Sequence, residues 1–440
     1  MFKQKCIQVS NYLQEFFDLP SEVLGRATGF VKRKSKLTTG IFVKTLVLGL
    51  LERGDASLTD LVEVAGTFGV EISESGLAQR MNNGAEQVLK QLVQLGMAQL
   101  GESTTKAGEV LKSFSAVNII DSTQTSLPES CRELLSGSGG SASAASAKIQ
   151  VNYEYLSGTF TGLELGSGRI SDHRCPFPVS FARKNSLMLF DLGYFKLAIL
   201  VAIAQAEAWF LTRLHTNTSL YWQSDDEKQA DIIGYLDKQS EAVGEVAVYI
   251  GAKERLPVRL VYRRLPAAQV AEKRRKARRN ATKKKQTCSA THLQWLAWHI
   301  CITNVPITRL SSAQVLLVYR LRWQIELIFK LWKSQAKLTT IRYENPQHVV
   351  CLLYAHLLGL ILFQWLIAPH RFAEDTELSP AKAFKCFQRV LPKFIRRMAL
   401  GWHKVPACLA HFFRDLERYA QKSSRLKSPS TYHALLWQGV

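Results

Sequence analysis

Apolar and polar positions change period along this chain, and the changes mark its elements. Up to about residue 105, apolar residues recur at helical spacing, around Ile41–Leu51, Leu58–Val64 and Val88–Leu95. Ser57 with Asp60 three residues on predicts a helix start, and Gly69 predicts a stop. The stretch SLTDLVEVAGTFGVEISESGLAQRMN therefore reads as helix, turn, helix, the outline of a DNA-reading pair and equally of an ordinary helical hairpin. From Ala116 the pattern becomes strand-like in AVNIID, IQVNYEYL, TFTGLELG and SLMLFD. The tract Ser136–Ala147, SGSGGSASAASA, reads as a flexible loop by composition. A helical run, YFKLAILVAIAQAEAW, follows the fourth strand. Strand-like runs then return between about Phe210 and Thr303 as EVAVYIGA, LPVRLVYRRL and HICITN, before one long helix predicted over Ser311–Lys337.

One run is apolar on every side: Val349–Ala368, VVCLLYAHLLGLILFQWLIA, is long enough to cross a bilayer. It carries His356 and Gln364 and no comparable span follows, so the central helix of a large core is the favoured reading and no membrane partner is expected. A chain of 440 residues that is 47% hydrophobic can bury two or three such units.

Charge narrows the partner. Lys and Arg number 57 against 36 Asp and Glu, a net +21, which favours a polyanion and nucleic acid above all. The basic residues gather in two places: VKRKSK at Val31–Lys36, beside the helical pair, and EKRRKARRNATKKK at Glu272–Lys285, with nine basic residues in fourteen. The second run reads as a solvated, mobile loop that lies along a DNA backbone through residues such as Arg274 and Arg275. Eight cysteines without paired spacing read as reduced thiols. The N-terminal residues lack the pattern of a secretory signal, so a cytoplasmic, nucleoid-associated protein is expected.

Candidate chemistry lies at strand ends and on the long helix. Asp121 closes the first strand and Asp191 the fourth, where ligand sites of open sheets gather; if these strands are neighbours, the carboxylates meet. Phosphodiester cleavage by divalent ions needs such converging carboxylates. A third comes from the helix, where Tyr319, Arg322, Glu326 and Lys333 fall within an arc of about 60° on an ideal helix. Leu317, Leu321, Ile325, Ile328 and Trp332 take the opposite side. An acid flanked by a phenol, a guanidinium and an ammonium suits phosphate oxygens as well as a metal. Asp172 and the pair Asp225–Asp226 are rival carboxylates that read better as loop residues, and Trp298 reads better as a core tryptophan than as a stacking platform for an extruded base.

The helix matches Y-x2-R-x3-E-x6-K, and this resembles the signature of bacterial insertion-sequence transposases of the "insertion sequence four" kind. IIDST at Ile119–Thr123 and DLGYF at Asp191–Phe195 resemble the segments around their two aspartates. The resemblance spans about Val117 to Arg342. It implies an α/β protein with an RNase H-like mixed-sheet core over 106–345, interrupted by a β-rich insertion at about 210–290. A helical DNA-end-binding domain over 1–105 would precede it, and a helical region over 346–440 would follow. It also implies that Asp121, Asp191 and Glu326 bind two Mg²⁺, with Mn²⁺ able to substitute, and that Tyr319, Arg322 and Lys333 grip phosphates. Lys330, Arg274 and Arg275 join these as expected DNA contacts. The implied activity is cut-and-paste transposition through a DNA hairpin, by a homodimer on terminal inverted repeats and target DNA. A metal-dependent nuclease of the same fold and a non-catalytic DNA-binding protein are the alternatives.

Overall fold

The structure, a computed structural model, describes residues 2–33, 35–99, 108–139, 143–341, 343–373, 376–422 and 430–437. The chain begins with five helices, α1 (Phe2–Ala27), α2 (Thr39–Glu52), α3 (Leu58–Thr67), α4 (Glu74–Arg80) and α5 (Asn83–Gln99). Next come α6 (Gly108–Leu111), β1 (Val117–Leu127), β2 (Ala145–Glu154), β3 (Thr159–Ser167), α7 (Phe177–Ser180), β4 (Leu187–Leu189) and α8 (Leu197–Gln205). They are followed by β5 (Trp209–Arg213), β6 (Leu220–Tyr221), α9 (Ile232–Asp237), β7 (Val243–Ile250), β8 (Leu256–Arg264), α10 (Ala267–Lys283), α11 (Ala290–Trp295) and β9 (Trp298–Thr303). The remaining helices are α12 (Ser312–Tyr319), α13 (Trp323–Ser334), α14 (Pro346–Ile367), α15 (Pro380–Ala399), α16 (Val405–Tyr419) and α17 (Thr431–Trp437). The protein is thus mixed α/β, with parallel and antiparallel strand pairs.

Two compact units share these elements. The first comprises Met1–Lys106, Ser122–Ile170 and Ile325–Ser424. Its centre is α14, whose all-round apolar sequence is buried along almost its whole length. The helix is long and apolar enough for a bilayer, yet 94% of its most apolar window is covered by protein, as a core helix requires. Two polar residues lie deep in its buried stretch: Gln364 Nε2 donates to the Gly158 carbonyl (2.8 Å), and His356 is buried with no hydrogen-bond partner for its Nε2 among the described residues. Gly359 lets α2 come close, since a Cβ there would lie 2.8 Å from the Leu51 side chain. The capping box expected at Ser57 is present on α3. Gly69 adopts φ +76° and closes α3, while the Val70 N–H donates to Ala65 O and the Gly69 N–H to Gly66 O, so the last carbonyls are satisfied.

The second unit comprises Ala107–Asp121, Ser171–Gln324 and Arg425–Val440. Its strands run in the order β1-β4-β5-β9-β8-β7-β6. β1, β4 and β5 are parallel, and the remaining neighbours are antiparallel. Directly paired residues point to the same face, so the pairings sort the side chains of β5, β8 and β9. Phe210, Leu260, Tyr262, Trp298, Ile300 and Ile302 take one face and enter the core beneath α8 and α9. Arg213, Arg259, Arg263, His299, Cys301 and Thr303 take the other. Trp298 is buried, with the Tyr262 ring edge-on at 5.7 Å and the Arg264 guanidinium 4.5 Å from its ring centre.

Three sequence expectations need correction. The basic run is not a loop: residues 272–283 are the body of α10, because Ala, Arg, Lys and Glu are strong helix formers and Glu272 pairs with Arg275 and Lys276 one turn on. The long helix over Ser311–Lys337 is broken, with a 3₁₀ turn at Arg320–Arg322 between α12 and α13. Ser136–Ala147 is only partly a connection: its last residues begin β2, and 140–142 lie outside the described residues.

Candidate functional site

Asp121 and Asp191 are placed by one piece of sheet geometry. β1 and β4 are parallel neighbours in step, with Val117 opposite Leu187 and Ile119 opposite Leu189. Two residues further along each chain lie Asp121 and Asp191. Asp121 is still within β1, whereas Asp191 has just left β4 and caps the 3₁₀ turn Leu192–Tyr194, its Oδ1 accepting from the Gly193 N–H at 2.7 Å. Both carboxylates are half-buried. The same turn receives a third acid: a Cβ built on Gly193 would lie 3.1 Å from Asp172 Oδ2 and 3.0 Å from Asp191 Oδ1. Asp172 belongs to its own 3₁₀ turn, Asp172–Arg174, and is thus less free than a loop residue. The sequence hid this, because nothing local pairs residue 172 with 191. Asp226 does behave as a turn residue, its Oδ2 accepting from the Gln223 N–H at 2.8 Å.

Arg322 answers Asp121. Its Nη1 donates to Asp121 Oδ2 at 3.0 Å, and both side chains are only 16% exposed. Tyr319 lies one 3₁₀ turn earlier, and residues three apart eclipse in such a turn. Tyr319 is buried rather than presented to solvent. Only 7% of it is exposed, its ring stands 6.0 Å from that of His299, and its hydroxyl is buried without a hydrogen-bond partner among the described residues. Burial pushes its pKa up, so it remains a neutral donor at physiological pH. The side of the helix predicted to be apolar is buried throughout, from Leu317 to Trp332.

α13 carries Glu326, Lys330 and Lys333 at helical spacing. Glu326 is half-buried, Lys330 is exposed, and burial draws the Lys333 pKa down. Glu326 and Lys333 belong to the first unit, while Asp121, Asp191, Tyr319 and Arg322 belong to the second. Among the described residues, no three His, Cys, Asp or Glu side chains converge closely enough to hold a metal ion. On α10, Arg274 Nε donates to the Leu293 carbonyl at 3.0 Å and tethers α11, whereas Arg275 is exposed and paired with Glu272.

Beside Tyr319 opens a cavity of about 410 Å³, lined by Arg263, His299, Tyr319, Arg320, Arg322 and Trp323, with Thr431 at its edge. Four of these residues are arginines or histidine and none is acidic, so the cavity suits an anion. Burial, followed by the charges of Arg213, Arg263 and Lys273, lowers the His299 pKa to about 4 and keeps its ring neutral. Arg263, His299 and Arg213 belong to no motif; their signal in the sequence is alternation along the strands, which acquires meaning only through strand pairing.

Residues 112–362 match the family model described as a transposase DDE domain. The chain is 26% identical over 98% of its length to the transposase for insertion sequence element IS1151 of Clostridium perfringens, covering 96% of that protein. It is 28% identical over 93% of its length to the transposase for IS231F of Bacillus thuringiensis subsp. israelensis, covering 91% of it. It also resembles the Escherichia coli transposase for IS421, at 24% identity over 78% of this chain and 89% of that one. Among solved structures, piggyBac transposase in a synaptic complex with hairpin DNA aligns over 97% of this chain and 88% of its own, at 10% identity and a TM-score of 0.46. The matched stretch runs from before Asp121 to beyond Lys333, more than half of the chain, and the chain belongs to the DDE transposases of bacterial insertion sequences, enzymes that act on DNA.

Proposed function

We propose that this transposase performs metal-dependent cleavage at the ends of its own element and joins the freed ends to target DNA, through a hairpin formed at each end. The observation that carries the reading is the in-step pairing of β1 with β4, which brings Asp121 and Asp191 to matching positions, with Arg322 bonded to the first. In this reading residues 106–345 form an RNase H-like core, with a β-rich insertion at about 210–290. Residues 1–105 bind the element's inverted repeats, and 346–440 complete the protein. Two copies act together on DNA, in the cytoplasm and on the nucleoid.

The donor set fits a hard divalent ion. Mg²⁺ takes oxygen ligands, commonly one or two carboxylates together with water and substrate phosphate, and the strand-end acids supply these. Asp121, Asp191 and Glu326 would hold two Mg²⁺, with Mn²⁺ as a substitute; bound there, the ions supply an activated attacking oxygen and a stabilised leaving oxygen. The chain's own groups do the rest. Until metal and DNA arrive, Arg322 neutralises Asp121 and limits its repulsion with Asp191. Its fork then serves phosphate oxygens, which guanidinium matches in geometry. Tyr319 keeps its proton and donates from a dry position, and Lys333 adds a cation with Lys330 beside it. Arg275 lies on the exposed side of α10, free to meet the backbone of bound DNA once Glu272 is displaced.

Glu326→Ala tests the reading. Cleavage of end DNA in Mg²⁺ should fall by at least about 10³-fold while end binding is retained; cleavage at the wild-type rate would overturn it. Joining separates a transposase from a nuclease of the same fold, since only the former yields product covalently linked to a second DNA.

A further inference from the structure

Five polar or charged side chains on the outer face of β5, β8 and β9 fall into two groups, with the buried Cys301 between them on β9. Arg259 and Thr303 lie toward the end covered by α12 and are fully engaged. Arg259 pairs with Glu245 and donates to the Val305 and Leu310 carbonyls at 2.7 and 2.9 Å, and Thr303 Oγ1 donates to Phe210 O. Beyond the end of α12, Arg213 and Arg263 flank His299 on the same face. Both arginines are exposed. Among the described residues neither side chain forms a hydrogen bond or an ion pair, and Lys273 of α10 approaches them, also without an acid partner. The His299 Nδ1 and Tyr319 Oη are buried there with no partner among the described residues, and both residues line the cavity.

Like charges gathered without a counter-charge destabilise a fold unless an anion completes them. Arg213 and Arg263, after burial itself, lower the Lys273 pKa. A merely structural cluster would be paired as Arg259 is. Several cations with two waiting donors match the phosphates of a nucleic-acid backbone, whose oxygens accept from guanidinium, imidazole and phenol alike.

Resting on the transposase reading above, we propose that Arg263 and Lys273, with Arg213 and His299 beside them, form a second phosphate-binding site on the outer face of β5, β8 and β9. It holds backbone phosphates of the bound DNA away from the bond being cut. The site is sequence-independent: it supplies grip and orientation and takes no part in the chemistry.

The test is the salt dependence of binding between full-length protein and a fluorescent duplex that carries the element's end, followed by anisotropy from 50 to 300 mM KCl without divalent ions. Each phosphate contact contributes about 0.9 to the slope of log K against log salt. The double variant Arg263→Gln, Lys273→Gln should lower that slope by about 2 and weaken binding at 0.1 M salt by tens of fold. Arg263→Lys alone should keep the slope, because it keeps the charge. The double variant should also unfold at the wild-type temperature or slightly above, since repulsion has been removed; a structural role would lower it. A slope equal to wild type overturns this site and leaves the transposase reading standing. Wild-type protein that fails to bind DNA at all overturns both.

Discussion

Two stretches of one sheet face both carry arginine and put it to different uses. At Arg259 every charge is matched: although burial raises the Glu245 pKa, hydrogen bonds from Arg259 and Ser312 outweigh it and hold the carboxyl below its usual range. A few residues along, Arg263 and His299 line a cavity that the fold leaves open and Arg213 stands on the same face, none of the three paired with an acid among the described residues. The first arrangement fastens α12 to the sheet, since Ser312 at its start donates to Glu245 at 2.6 Å. The second leaves charge for something that is not part of the chain. Pairing therefore separates structural arginines from functional ones where residue type and burial alone do not.

The comparison can be pressed with pH. His299, at the unmatched end, and His356 and His370, in the first unit, all have pKa values driven down to about 4 by burial, with the Ala336 backbone offsetting part of the effect at His356 and Lys5 adding to it at His370. Their ordinary value is 6.5, so between pH 6.5 and 4 the unfolded chain binds protons that the folded chain refuses. Stability is whole above pH 6.5 and is lost as pH falls through this window, by up to about 3 kcal/mol for each histidine. Urea unfolding from pH 7 to 4.5 should expose this, and DNA should protect His299 alone, because phosphate favours its protonated form. Equal protection of all three would place His299 with the structural histidines.

Next in size is Arg259→Ala. Leaving Glu245 half-buried without its partner should destabilise the second unit by about 3 kcal/mol, as for other inaccessible pairs that lose one member. A smaller step is expected at the capping box, where Ser57→Ala should cost about 1 kcal/mol in the first unit. Smallest of all is Arg263→Gln, which should shift unfolding by less than about 0.5 kcal/mol. If Arg263→Gln destabilised the fold as much as Arg259→Ala, the distinction between the two ends would fail.

Much of the architecture was legible in residue order. α14 was readable as a core helix because it is apolar on all sides yet carries His356 and Gln364, and the capping box at Ser57 was visible in four residues. Asp121 and Asp191 could be nominated because each ends an apolar run, but their matching positions depended on β1 pairing with β4, a contact between stretches 70 residues apart. The break at Arg320–Arg322 has no proline or glycine to announce it. It follows from tertiary demands, Arg322 toward Asp121 and Tyr319 onto the sheet, which helical periodicity cannot register. In α10 charge density points to a solvated loop, while helix propensity and the Glu272 pairs with Arg275 and Lys276 decide for a helix. The cationic cluster was invisible for a simpler reason: Arg213, Arg263 and Lys273 lie on three elements, and only strand register and the fold of α10 bring them together.

The central claim is that the acids at the ends of β1 and β4 cut and join DNA. It is tested most directly by incubating wild-type protein and Asp191→Ala with DNA carrying the element's ends, a target plasmid and Mg²⁺, and resolving the products on a denaturing gel. The account predicts nicked, hairpin and target-joined products with wild type and none with Asp191→Ala, although the variant still binds the ends. Identical products from both proteins would contradict it.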